Sequence, residues 1–158
     1  MSPRICLCLA SVLGFLAVVF GAFGAHGLKD SGYLKKKYAD TEPKNIAGLS
    51  VPASYKYLQD FETGVEYHMS HALALAISGL LMFRRPSAFL SIAAWCFLLG
   101  ILLFSGALYI LVIGGPRWLG FPWALLVPVG GTLYLLGWLA LFAGACKVTF
   151  RTDSLLAR

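Results

Sequence analysis

Charge is what this sequence has least of. Lys, Arg, Asp and Glu make up 13% of its 158 residues, about half the share of an ordinary soluble domain. So few charges cannot cover a water-facing surface of this size, which argues against a conventional soluble fold. Acidic residues are scarcest, 7 against 13 Lys and Arg, for a net charge of +6. The basic residues flank apolar runs, so membrane topology accounts for them and no nucleic-acid partner is expected. The 4 cysteines form no CxxC pair and no His/Cys ligand spacing, which excludes the usual thiolate metal and redox motifs. HExxH is absent, and Glu62 and Glu66 precede His68 and His71 by spacings of 6, 9, 2 and 5 residues. None of these is the Glu-x-x-His of a di-iron bundle. No catalytic residue, resident metal or cofactor is therefore assigned.

What is abundant is apolar sequence, 59% of the chain, gathered in four blocks: Ile5–Ala25, Val65–Phe83, Ala88–Gly114 and Phe121–Cys146. Crossing a bilayer takes about 17–25 apolar residues, and only helices or closed barrels satisfy their backbone in lipid. The blocks lack the alternation of barrel strands. The expected fold is all-α, a single polytopic membrane domain of four transmembrane helices in a tightly packed bundle. Residues 28–60 are expected to form a polar loop, with Ser54–Asp60 a candidate helical lead-in. The start resembles a signal peptide, but its apolar run exceeds the usual length of roughly 7–15 residues, so a retained span is expected.

Small residues set the expected packing. Ala10, Gly14, Ala17, Gly21 and Ala25 make a small-xxx-small stripe on the first span, where another helix can approach closely. Ala93, Gly100, Ala107 and Gly114 recur every 7 residues on the third span, and Gly130, Gly137 and Gly144 on the fourth. Gly14, Gly21, Gly100, Gly106, Gly130 and Gly137 are the candidate packing glycines. Pro128 falls inside the fourth block and removes a helical hydrogen bond there. One kinked span over Phe121–Cys146 is expected; the alternative starts the span at Pro128, with Trp118–Val127 interfacial or re-entrant.

Four spans place the termini and the Arg84–Arg85 turn on one side. That side carries Arg4, Arg84, Arg85, Lys147, Arg151 and Arg158; the other carries Lys29, Lys35, Lys36, Lys37, Lys44, Lys56 and Arg117. Charges tight against span ends weigh most, and Arg84, Arg85 and Lys147 are of that kind. A multi-pass protein of the cell membrane with cytoplasmic termini is expected.

The stretch Phe61–Leu75 carries Glu62, Glu66, His68 and His71 at the head of the second span. Titratable groups in a bilayer are costly and need a partner or a job. Helical phase separates them: Glu62 and Glu66 are about 40° apart, while Glu66 and His71 are about 140° apart. The glutamates and His68 read as interfacial. His71 lies about 9 Å below Val65 at the helical rise. His26, Glu66, His71, Ser105 and Tyr109 occupy the same half of the bilayer and form the candidate polar cluster.

At GAFGAHGL (21–28), EYHMSHALAL (66–75), LFSGALY (103–109) and PVGG (128–131) followed by LGW (136–138), the chain resembles the domain-of-unknown-function 423 family, the YgdD-like small membrane proteins. The resemblance implies four spans, cytoplasmic termini and no established activity. It falls on Gly24, Ala25, His26, Tyr67, His71, Ser105, Gly106, Tyr109, Pro128, Gly130 and Gly131. His68 stands where the family often has Gln, Val127 where Thr is common, and the 28–60 loop is longer and more basic than usual.

The functional expectation is a non-catalytic membrane component acting through lipid and helix contacts, a second copy among its candidate partners. A small proton-coupled transporter or channel using His71 and Glu66 is the alternative. A haem or metal membrane enzyme, with His26 and His71 as axial ligands, is least favoured.

Overall fold

The computed structural model describes the backbone of residues 1–156 and the side chains of residues 1–147; the Arg151 side chain and Arg158 lie outside the described residues. The chain is predominantly helical. Helix α1 (Pro3–Ala22) starts at Ser2, whose hydroxyl accepts from the Ile5 amide, with Pro3 at the first turn, where a missing N–H costs nothing. It runs on as a π-helical segment, Phe23–Asp30. The long helix α3 (Ala53–Arg84) begins after Pro52 and ends where Arg85, ahead of Pro86, is extended, as a residue preceding proline prefers. Helix α4 (Ala88–Gly100), a π-helical segment (Ile101–Ser105) and α5 (Gly106–Gly114) form one continuous rod. After 3-10 turns at Trp118–Gly120 and Trp123–Leu125, α6 spans Leu126–Leu156.

Among the described residues three helical segments are long and apolar enough to cross a membrane: Pro3–Asp30, Ala88–Gly114 and Trp123–Lys147. Helix α3 is not among them, because Glu66, His68 and His71 dilute its apolar half. It nevertheless packs along α1 on one side and α4 on the other, while α4 lies along α6. The Met1 amine bonds Ser91 Oγ at 2.6 Å, and Lys147 Nζ sits 4.3 Å over the Phe89 ring. The chain start, the turn before α4 and the described end of α6 thus share one end of the bundle.

The structure corrects two expectations here. Pro128 does not kink a span. It is the third residue of α6, where its missing N–H is one of the helix's unpaired first four. Residues 28–60 are not a plain polar loop, and the chain is not strictly all-α. They fold into α2 (Tyr33–Lys37) and a hairpin of β1 (Lys44–Ile46) with β2 (Leu49–Val51), paired antiparallel. Its two-residue turn, Ala47–Gly48, takes positive φ at both positions, 49° and 84°, the twist a tight hairpin favours.

The interior has two parts. One runs the length of the bundle through Cys6, Ala10, Leu75, Leu90, Phe97, Ile101, Tyr134 and Leu141. The other lies under the 28–60 segment: Leu28, Leu34, Tyr38, Tyr57, Phe61, Tyr109, Leu111 and Val112. The loop therefore owns a core and forms a cap on the bundle. Large apolar side chains face outward all round it, among them Phe15, Ile77, Trp95, Leu102, Leu139 and Phe142, which suits lipid rather than water.

Candidate functional site

The inward face of α3 carries Phe61, Gly64, His68, His71, Ala72, Leu75, Ser78, Gly79 and Met82, a stripe at steps of three and four. Both histidines lie on it. His71 is 6% exposed, and its Nδ1 is 2.8 Å from the Tyr67 carbonyl oxygen one turn back. The Trp138 indole N–H donates to His71 Nε2 at 3.2 Å. A carbonyl can only accept and an indole N–H can only donate. The partners therefore specify a neutral ring with its proton on Nδ1. The Tyr134 ring lies flat on the imidazole, centroids 3.4 Å apart and planes 12° apart, and Phe97 closes another side at 5.8 Å. The Tyr134 hydroxyl meets the buried Ser105 Oγ at 3.4 Å. His71 is thus clamped between its own helix and α6.

His68 is also buried, at 3% exposure, but faces elsewhere. Its Nδ1 is 3.2 Å from the Tyr109 hydroxyl, and the Phe20 ring packs tilted against Tyr109, centroids 4.6 Å apart and planes 40° apart. Among the described residues its Nε2 is buried with no hydrogen-bond partner. The interfacial reading of His68 is corrected by this burial.

Of the five expected cluster residues, the structure brings together His71 and Ser105, through Tyr134. Tyr109 belongs to His68 instead. Glu66 is exposed on a different face of α3. His26 does not join them: Gly24 and Leu28 take the inward positions of the π-helical segment, with Gly24 against the Phe61 ring. The His26 side chain is 82% exposed and meets Asp30 at 3.2 Å. Axial ligation of a haem by His26 and His71 has no geometric basis here.

The packing glycines divide likewise. A methyl group at Gly130 would lie 2.5 Å from the Phe104 nitrogen, at Gly137 2.7 Å from the Phe97 ring, and at Gly100 2.6 Å from the Tyr134 ring. These make the α4–α6 seam, with α6 touching backbone at the π-helical turn. Gly21 is in ordinary contact with Val65, Gly106 meets only the carbonyl of Ile101 in its own rod, and Gly14 has nothing within 4 Å. The expected stripe on α1 therefore packs through Cys6, Ala10, Leu13 and Ala17, not Gly14.

The cap adds a function for Tyr33-Leu34-Lys35-Lys36-Lys37-Tyr38 that residue types alone did not show. The last carbonyls of α5 run short of helical donors: Leu111 O accepts from the Gly115 amide at 3.1 Å, but the donor position for Val112 O is Pro116, which has no N–H. The Tyr38 hydroxyl donates to Val112 O at 2.9 Å and Leu111 O at 3.3 Å, and Lys37 donates to the Ile113 carbonyl. Tyr38 stacks on Tyr57 at 4.1 Å. Burial pushes the Tyr38 phenol up to about 12 and Tyr57 upward as well.

Sequence reasoning missed Tyr134, Trp138 and the burial of His68. The signal was present: Tyr134 and Trp138 are one turn apart on α6, and Tyr134 lies about 9 Å past Pro128 along the helix, the depth of His71 below Val65. Among the described residues no group of His, Cys, Asp and Glu side chains could hold a metal ion.

Residues 20–131 match the family described as "Protein of unknown function (DUF423)". Relatives align over nearly their whole length. The UPF0382 membrane protein YwdK of Bacillus subtilis is 34% identical over 145 residues, 91% of this chain and 98% of its own. A UPF0382 membrane protein of Haemophilus influenzae is 36% identical over 142 residues, 89% and 93% of the two chains. The UPF0382 inner membrane protein YgdD of Escherichia coli K12 is 32% identical over 149 residues, 94% of each chain. No solved structure matches significantly.

Proposed function

The chain belongs to the DUF423 family, multi-pass membrane proteins of unknown function, and on that premise we propose a non-catalytic four-span membrane component held together by a dry histidine clamp. Helix α3 is the fourth span. Its second half exposes Leu73, Ile77, Leu80 and Phe83, a lipid-type face, while its polar groups turn inward or sit at its head. The membrane is the cell's inner membrane, supported by the printed name of the Escherichia coli relative, and the termini face the cytoplasm, supported by Arg84 and Arg85 tight against α3. The protein acts through contacts of its exposed apolar faces with lipid and with other membrane helices, a second copy among them.

The observation that carries this reading is the state of His71. Both ring nitrogens are engaged, Nδ1 with Tyr67 O and Nε2 with the Trp138 N–H. A second ring proton would set two N–H donors against each other. Glu66, the other titrating group of a transport pathway, is exposed on a separate face. A structural clamp fits this arrangement better than a proton relay.

Proton uptake by reconstituted vesicles under an imposed pH gradient tests it. Wild type and His71→Gln are expected to match empty vesicles. Uptake by wild type that His71→Gln abolishes would establish the transporter instead. Reporter fusion at the C-terminus reads the orientation.

A further inference from the structure

The cap encloses more than a core. An open groove of about 870 Å³ lies between the start of α3, α2 and the hairpin, within the roughly 300–1,000 Å³ range of ligand sites. Its apolar lining comes from Leu28, Leu34, Ile46, Leu49, Val51 and Leu58. Leu49, at the hairpin, is 70% exposed, an unusual place to leave a leucine beside a groove. Two lysines, Lys29 and Lys35, stand in the same lining. Lys56 and Asp60 pair with each other and Lys37 bonds the end of α5, whereas the ammonium groups of Lys29 and Lys35 have no ion pair or hydrogen bond among the described residues. One carboxylate, Glu62, stands in the same lining, three residues before Val65, where the apolar part of α3 begins. Apolar wall and unpaired cations occur together, close to the start of the apolar part of α3.

We propose that this groove binds a membrane phospholipid with an anionic headgroup, one acyl chain lying along Leu34, Leu49 and Leu58 and the phosphate between Lys29 and Lys35. The apolar wall removes the chain from water. The two ammonium groups meet the phosphodiester at the polar boundary, where basic side chains favour anionic lipid. Glu62 faces the glycerol side and disfavours a second anion. The groove selects an anionic amphiphile, because a soluble anion leaves the leucines uncovered and a zwitterionic lipid brings its own cation beside the two lysines.

The test uses the full-length protein in nanodiscs of phosphatidylcholine containing phosphatidylglycerol, extracted into detergent and weighed intact by native mass spectrometry. One retained phosphatidylglycerol per chain is expected, in excess over its share of the bilayer. Lys29→Gln and Lys35→Gln should each lower its retention about fivefold, while Lys36→Gln, outside the groove, leaves it unchanged. A photo-reactive residue in place of Leu49 should yield an adduct of phospholipid mass. Equal loss with Lys36→Gln would reduce the effect to general surface charge and overturn the site. So would competition by soluble glycerophosphate, an adduct of twice the chain mass, or no adduct in folded protein.

Discussion

His68 and His71 are three residues apart on one helix and both buried, yet they sit in opposite situations. On the α6 side, His71 has a donor, an acceptor and a flat aromatic partner, and the helices around it meet at glycines with no room to spare. On the α1 side, His68 has one hydroxyl partner and an unpaired Nε2, and the first-span glycines Gly14 and Gly21 carry little or no contact. Burial by itself does not distinguish the two. Whether every polar atom has a partner does, since a buried group left unpaired costs about 1–3 kcal/mol. The contrast is one of polar satisfaction rather than of packing, since α3 also meets α1 closely, at Gly79 against Cys6 and Leu7.

The largest expected break of this contrast is His71→Ala. It removes both hydrogen bonds and the Tyr134 stack, leaves the Trp138 N–H unpaired, and should destabilise by about 4 kcal/mol. Thermal unfolding in detergent, followed by tryptophan fluorescence, reads it; a shift no larger than that of His68→Leu would erase the distinction. Next comes Gly130→Ala, whose added methyl meets the Phe104 backbone rather than a side chain that can move. About 3 kcal/mol is expected from such overpacking. Gly14→Ala, facing open space, should change stability by less than about 1 kcal/mol, in the stabilising direction given by helix propensity.

The cap supplies a third comparison. Tyr38→Phe leaves the Val112 carbonyl at the end of α5 without its hydroxyl donor and should cost about 1–2 kcal/mol. The same residue sets an alkaline limit. Its phenol is raised in the folded state from 10.0 to about 12, so the folded form holds the proton more tightly than the unfolded chain. The stabilisation is complete below pH 10 and is lost as pH rises from about 10 to about 12. Unfolding scans across that window should show the loss, blunted in Tyr38→Phe and with Tyr57 accounting for the remainder. A comparably small effect is expected of His68→Leu, within about 1 kcal/mol of wild type: it forfeits the Tyr109 bond but also removes an unpaired buried nitrogen. A drop as large as that of His71→Ala would show that His68 has a partner the bundle alone does not supply.

The legibility of these features in the sequence is uneven, for physical reasons. The Gly130–Gly137 repeat on the fourth block is apparent at a spacing of 7 residues, and the seam forms there because both glycines fall on one helix face. The matching stripe on the first block is equally apparent, yet Gly14 packs against nothing. A small residue permits close approach without compelling it. The interest of His71 follows from depth alone. Its partners do not, because Tyr134 and Trp138 are ordinary aromatic residues until α6 turns them toward α3. Pro128 marks a disturbance in the helix pattern; whether it kinks a helix or begins one depends on where Trp123–Leu125 tighten into a 3-10 turn. The Lys and Tyr of residues 33–38 suggest a solvated loop by composition, and only the unpaired carbonyls ending α5 make them a cap.

Hydropathy is local, and so are the needs of backbone in lipid. The membrane class, the helical blocks, the end of the bundle shared by the termini and the Arg84–Arg85 turn, and the oddity of histidines inside an apolar run are therefore fully determined by the residues themselves. The angular position of each side chain is not local. The π-helical turns at Phe23–Asp30 and Ile101–Ser105 reset helical phase, and a shift of one residue turns a side chain by about 100°. That is enough to send His26 outward and to hand Tyr109 to His68, while Trp138 reaches His71 through the way α6 packs on α3. Those pairings were decided only when the helices packed.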